Sequence, residues 1–131
     1  MKYVADANTF LAVALDEPEK AWLVGVTQNC ELVSPAALPY EIGNALSALV
    51  KRKVISPDQA DVIWGRVAMI PARLVDLDLR AALQLAVEEG ICAYDAYYLQ
   101  CARELKCPLL TLDSGMKRVA ASLGIKVVER T

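Results

Sequence analysis

The sequence predicts one α/β domain in which a central, mainly parallel sheet is flanked by helices on both faces. Short apolar runs alternate with segments of helical pattern along the whole chain, as crossover connections between parallel strands require. The chain has 131 residues, which is the usual length of one domain. No linker, repeat or low-complexity segment divides it, so residues 1–131 are predicted to form a single unit.

Five short runs of mostly aliphatic residues are predicted to be strands. The first run, KYVA, shows little alternation of polar and apolar residues, which is typical of a strand in the middle of a parallel sheet. The five runs lie at residues 2–5, 31–34, 73–77, 108–112 and 126–129.

Helix ends between these runs can be located from capping residues. Ser56, Pro57 and Gln59 fit an N-cap, a preset first helical residue and the partner of a capping box, so a helix is predicted to begin there. Gly90 and Gly124 suit helix C-termini, where the backbone often turns left-handed.

The composition excludes several kinds of chemistry. The chain has no histidine, which excludes Ser-His-Asp and Cys-His catalysis and leaves carboxylates as the candidate reactive groups. Its four cysteines form no C-x-x-C pair, so zinc patterns are absent and reduced thiols are expected. Without a signal peptide or an apolar run of about 18 residues, a cytoplasmic protein is expected. The net charge of −2 still allows a local basic patch.

Two acidic residues follow predicted strands. Asp6 comes directly after the first strand, and Asp113 follows the run PLLTL. In open parallel sheets, ligands collect outside the carboxyl ends of the strands, so both residues are candidates for binding. Each also fits a simpler role as a turn residue or helix N-cap.

Two further acids lie on helix faces that are otherwise small or apolar. Glu41 lies in LPYEIGNALSALV, and Asp95 lies in AYDAYYLQCAREL. A carboxylate on a core-facing stripe is unfavourable unless its charge is compensated. The alternatives are that Asp95 complements a helix dipole and that Glu41 extends past the helix edge. If all four acids meet at one sheet edge, their repulsion favours a hard cation, and oxygen ligands alone suit Mg²⁺ or Mn²⁺.

The order of these residues resembles the PIN-domain ribonucleases, in particular VapC-type toxins of prokaryotic toxin–antitoxin pairs. The resemblance rests on Asp6 with Asn8, Glu41 in a P-x-E helix, Asp95 in YDAYYLQCA, and Thr111 with Asp113 in LLTLD, and it spans essentially the whole chain. It implies a catalytic and metal-binding site, here called the four-acid site, formed by Asp6, Glu41, Asp95 and Asp113. It implies further that Asn8 and Thr111 support this site by hydrogen bonding.

The resemblance also implies an activity and partners. The expected protein is an endoribonuclease dependent on Mg²⁺ or Mn²⁺, usually dimeric and held inactive by a cognate antitoxin. Carboxylate-bound metal ions can activate water for displacement at phosphorus, so no protein nucleophile is needed. Lys117 and Arg118 are candidate phosphate contacts for the RNA substrate.

Three alternatives remain open from the sequence. A receiver domain of two-component signalling has a similar size and an acidic Mg²⁺ site, but it has an acidic pair near the first strand that VADAN lacks. A haloacid-dehalogenase-like phosphatase has D-x-D there, whereas this chain has Asn8 in the second position. The third alternative is a catalytically inactive PIN-like domain that acts only as a binding module.

Overall fold

The computed structural model describes residues 1–130 and contains one four-stranded sheet in which all the strand pairs are parallel. The strand order is β3-β2-β1-β4, so the first strand lies in the interior of the sheet. The predicted α/β architecture is therefore confirmed. The strands are β1 (Lys2–Ala5), β2 (Glu31–Pro35), β3 (Arg73–Val75) and β4 (Leu109–Leu110).

Seven helices connect and cover these strands in the described part of the chain. Given the strand order, the right-handed crossovers usual between parallel strands predict that the helices of the first two connections lie on one face of the sheet and the later helices on the other. Contacts among α1, α3 and α4, and separately between α6 and its neighbours α5, α7, β1 and β2, agree with this division. The helices are α1 (Ala7–Ala14), α2 (Lys20–Thr27), α3 (Leu38–Lys51), α4 (Pro57–Ala68), α5 (Leu79–Glu89), α6 (Ala93–Leu105) and α7 (Ser114–Ser122).

The outer part of the sheet is shorter than the sequence predicts. The run at 126–129 forms only one isolated bridge, between Val127 and Leu109, and is not a full fifth strand. The reason lies in β4, which has two residues before the chain turns toward α7. An edge strand of two residues forms only one residue pair with the 126–129 run on its open side. The run at 73–77 likewise contributes only β3.

The predicted helix ends are found in the structure. Ser56 and Gln59 form both hydrogen bonds of a capping box at the start of α4. Gly90 is the C-cap of α5 with φ of 65°, a left-handed conformation that glycine adopts without a steric penalty. Gly124, with φ of 73°, directly follows the C-cap of α7.

The core is centred on the two middle strands. Val4, Ala5 and Val33 are completely buried, which explains why these segments read as continuous apolar runs. Ser34 is also completely buried, and its hydroxyl donates to the carbonyl of Ala5 across 2.6 Å. Because Ala5 precedes Asp6, this bond fixes the end of β1 where the first candidate acid leaves the sheet.

All four cysteines are free thiols, as expected, but only Cys101 is buried and Cys92 is exposed.

Within residues 1–130, no helix combines the length and apolar character needed to cross a membrane.

The capping box generates the first testable prediction. Replacing Ser56 with alanine removes the acceptor for the Gln59 backbone N–H, so we expect a loss of about 1 kcal/mol in the free energy of unfolding. Urea denaturation measures this change. Ser47→Ala is the matched control, because Ser47 is exposed in the middle of α3. Equal stability of the two variants would contradict the capping role.

Candidate metal-binding active site

All four residues of the four-acid site lie at helix N-termini. Asp6 and Asp113 are the N-caps of α1 and α7, and Glu41 and Asp95 lie in the first turns of α3 and α6. Since α1, α3 and α7 follow the carboxyl ends of the parallel strands β1, β2 and β4, these helices begin at the same edge of the sheet. The positive ends of the helix dipoles therefore face the carboxylates and partly offset their charge.

Asp6 is the most deeply buried of the four, with 3% of its surface exposed. Its Oδ1 accepts hydrogen bonds from the backbone N–H of Thr9 at 2.9 Å and from the Thr9 hydroxyl at 2.7 Å. Its Oδ2 accepts a short hydrogen bond from the hydroxyl of Thr111, which is completely buried. Each carboxylate oxygen thus has a donor, which is the condition for burying such a group.

Thr111 connects Asp6 to Asp113. While its hydroxyl donates to Asp6, the same oxygen accepts from the backbone N–H of Asp113 at 3.1 Å. The Oδ1 of Asp113 caps α7 by accepting from the N–H groups of Gly115 at 2.8 Å and Met116 at 3.1 Å. Glycine suits position 115, because a Cβ there would lie 3.1 Å from Asp113 Oδ1.

Glu41 is held from the opposite face of the sheet. The hydroxyl of Tyr98, a residue of α6 with 2% exposure, donates to Glu41 Oε2 across 2.6 Å. Burial, followed by this hydrogen bond, raises the pKa of Tyr98 far above its ordinary value, so the phenol stays protonated and acts as a donor. The bond joins the two helices that carry Glu41 and Asp95.

Three of the four carboxyls have raised pKa values. Burial is the largest cause for Asp6, Glu41 and Asp95. Neighbouring charges raise them further: Asp113 acts on Asp6, and Asp6 acts on both Glu41 and Asp95. For Asp6, the hydrogen bonds from Thr111 and Thr9 lower the pKa, but burial outweighs them. The four carboxyls therefore form one electrostatically coupled group in which like charges repel.

The donor set fits a hard divalent ion in its chemistry. Only carboxylate oxygens converge, the ligand type that Mg²⁺ and Mn²⁺ prefer, and a cation would relieve the repulsion. Among residues 1–130, no three His, Cys, Asp or Glu side chains are arranged to hold an ion in their present positions.

The other predicted site residues lie beside the four-acid site. Asn8 is exposed, and its side chain makes none of the expected hydrogen bonds to the four-acid site within the described residues, whereas Thr111 does. Asn8 lines a groove with Arg52 and Leu112. Arg118 is exposed and lines a second groove that also contains two of the acids, Asp95 and Asp113. Lys117 is partly buried and does not line that groove.

Sequence reasoning missed two residues that contact the acids. Thr9 binds Asp6 as the third residue after an N-cap, and this spacing was a usable signal. Tyr98 lies one turn after Asp95 in α6, and no local pattern indicates that its hydroxyl reaches a residue 57 positions away.

An apolar groove elsewhere carries no comparable chemistry. It lies where α3, α4 and β3 meet and is lined by ten residues without a titratable side chain, among them Phe10, Ile42 and Trp64. The four-acid site is therefore the candidate active site.

The chain is similar in sequence and in fold to several known proteins. The curated ribonuclease VapC3 of Pyrobaculum aerophilum is 29% identical over 118 residues, which cover 86% of this chain and 90% of that protein. The crystal structure of PAE2754 from Pyrobaculum aerophilum superposes with a TM-score of 0.70 at 23% identity, covering 91% of this chain and 79% of that one.

A second solved structure shows the same fold over nearly the full length of both chains. The crystal structure of VapBC2 from Rickettsia felis, bound to a DNA fragment from its promoter, matches with a TM-score of 0.68 at 14% identity, covering 98% of each chain. The family model of the PIN domain matches residues 3–122. The chain therefore belongs to the PIN domain family.

Proposed function

We propose that this PIN domain is a divalent-metal-dependent endoribonuclease and the toxin of a cytoplasmic toxin–antitoxin pair. The observation that carries the proposal is that four carboxylates at four helix N-termini form one electrostatically coupled group without a basic partner among residues 1–130. The similarity to ribonuclease VapC3 supports RNA as the substrate.

Each residue of the four-acid site has a role in this proposal. Asp6, Glu41, Asp95 and Asp113 would hold Mg²⁺ or Mn²⁺. Such an ion, when bound, would lower the pKa of water and stabilise the negative charge that develops on the phosphoryl oxygens. Thr9 and Thr111 orient the two oxygens of Asp6, and Thr111 couples Asp6 to the cap of α7.

The RNA backbone would be bound beside the carboxylates. Arg118 lines the groove that contains Asp95 and Asp113, so its guanidinium is available to a phosphate next to the reacting one. Lys117, one residue earlier, is the second candidate and would add to the local positive charge. Asn8 is exposed in the adjoining groove, where its side-chain amide would contact the RNA. Phosphate contacts carry affinity without selecting a base sequence.

An antitoxin and a second copy of the chain are the proposed protein partners. The structural similarity to VapBC2 supports the antitoxin. An apolar row on α5 supports the homodimer, because Leu79, Leu83 and Val87 are 63%, 58% and 74% exposed and lie one turn apart. Large exposed apolar patches commonly mark interfaces.

A catalytically inactive PIN-like binding module is the second candidate. It is favoured by one observation, that no three acids of residues 1–130 are spaced to hold an ion as they stand. Family membership removes the receiver-like alternative.

The two candidates are separated by incubating the purified protein with total cellular RNA, with Mg²⁺, Mn²⁺ or a chelator, and mapping the cut ends. Metal-dependent cleavage at defined positions is expected. The Asp95→Asn variant, prepared in parallel, controls for contaminating nucleases. Cleavage that is equal for the variant, or that persists in chelator, would contradict the proposal.

Asp6→Asn is expected to abolish RNA cleavage in Mn²⁺ and to leave metal-free stability unchanged or higher. The amide oxygen can still accept from Thr9, and the amide nitrogen can donate to the Thr111 oxygen, so the hydrogen bonds have replacements while a repelling charge is removed. Cleavage assays and thermal unfolding in chelator measure the two effects.

Asp61→Asn is the matched control, since Asp61 is exposed within α4. It should retain full activity. An Asp6→Asn protein that melts at a lower temperature and still cleaves RNA would show that Asp6 is only a structural cap.

Metal-free protein is expected to become more stable as the pH falls through the raised pKa values of the site toward the unfolded value of about 4. The pKa values of Asp6, Glu41 and Asp95 are raised in the folded state, so the folded protein binds protons more tightly than the unfolded chain. This contribution is complete below the unfolded pKa of about 4 and is lost as the pH rises through the raised values. Urea denaturation in chelator measures the trend. In the Asp6→Asn variant, the free energy of unfolding should change less with pH. An unchanged dependence on pH would contradict the electrostatic coupling of Asp6 to the other carboxyls.

The wild-type chain is expected to be a dimer in solution, and Leu83→Glu should shift it toward monomer by placing a charge in the exposed α5 row. Light scattering coupled to size exclusion measures the mass. Lys51→Glu is the control, because it also changes charge at an exposed helical position. A monomeric wild-type protein would contradict the dimer.

A further inference from the structure

The Glu41 carboxylate has one side-chain hydrogen-bond partner in the described residues, the hydroxyl of Tyr98. None of the ion pairs found in residues 1–130 involves Glu41. The orientation of this half-buried carboxylate therefore depends on a single donor. The other oxygen, Oε1, has no hydrogen-bond partner among residues 1–130.

Tyr98 is placed rigidly enough to act as such a donor. Its side chain is 2% exposed and belongs to the hydrophobic core, so the ring has little freedom to move. The residue lies one turn after Asp95 on α6, and its oxygen is also faced by the backbone N–H of Ala7, the residue that follows Asp6. One hydroxyl thus lies among segments that carry three of the four acids.

We propose that Tyr98 is a positioning residue that orients the Glu41 carboxylate so that its free oxygen is presented to a divalent ion. This inference rests on the proposed metal-binding function and extends it to a residue outside the four-acid site. The donated hydrogen bond engages Oε2, so Oε1 is the oxygen whose lone pairs are all left for the ion. Groups that orient metal ligands in this way commonly change metal affinity when they are removed.

Tyr98 could instead serve only as a core side chain. Its ring packs among completely buried residues such as Leu99 and Ala96, so its removal would disturb the core in any case. Phenylalanine retains the ring and removes only the hydroxyl. Tyr98→Phe therefore separates the positioning role from the packing role.

The test measures Mn²⁺ binding directly, by the paramagnetic resonance signal of free Mn²⁺, and thermal unfolding in chelator. Tyr98→Phe is expected to raise the Mn²⁺ dissociation constant about tenfold. Tyr97→Phe, on the same helix and with no hydroxyl hydrogen bond within residues 1–130, should bind Mn²⁺ like the wild type. An unchanged dissociation constant for Tyr98→Phe would overturn the inference.

A double-mutant cycle with Glu41→Gln keeps the test decisive if Tyr98→Phe alters folding. A positioning residue acts through Glu41, so Tyr98→Phe should have little further effect on Mn²⁺ affinity in the Glu41→Gln background. Additive losses would assign Tyr98 to packing alone and overturn the inference. Failure of the wild type to bind Mn²⁺ or cleave RNA would instead overturn the proposed function itself, so the two failures are distinguishable.

Discussion

The burial of the Asp6 carboxylate is the constraint on which the site depends. This group lies at the end of an interior strand with 3% exposure, where an ionised carboxylate is unfavourable without compensation. Thr9 and Thr111 supply hydrogen bonds to its two oxygens, and the N-terminus of α1 adds a favourable dipole. These donors come from α1 and from the end of β4, so burying one charge requires both segments to be in place.

The parallel order of the strands extends this arrangement to Glu41 and Asp113, whose helices α3 and α7 follow β2 and β4. A helix that follows the carboxyl end of a parallel strand must begin at that edge, and its N-terminus favours negative charge. Asp113 is an N-cap as well as a member of the four-acid site, so the structural role considered for it and the proposed functional role are compatible. Capping supplies a stable position, and one carboxylate oxygen, Oδ2, remains uncommitted.

The ionised carboxylates of the site repel one another, and a bound cation would relieve this repulsion. Burial and neighbouring charges both raise the pKa values of Asp6, Glu41 and Asp95, which places the ionised site in a destabilised state when no cation is present. Buried carboxylates with a purely structural role are usually paired with lysine or arginine. None of the ion pairs in residues 1–130 includes these acids. The grouping of charges is therefore not stabilised by a basic partner among residues 1–130.

The sequence by itself determined the fold class and the positions of Asp6 and Asp113 after strands, because strand and helix patterns are local properties of the chain. It indicated the family through the order of its acidic motifs. The tertiary structure decided what local patterns do not encode. The run at 126–129 pairs only once because β4 is short, and that depends on where another segment turns. The bond from Tyr98 to Glu41 joins residues 57 positions apart on different helices. Such contacts exist only after the sheet has brought its helices to a common edge.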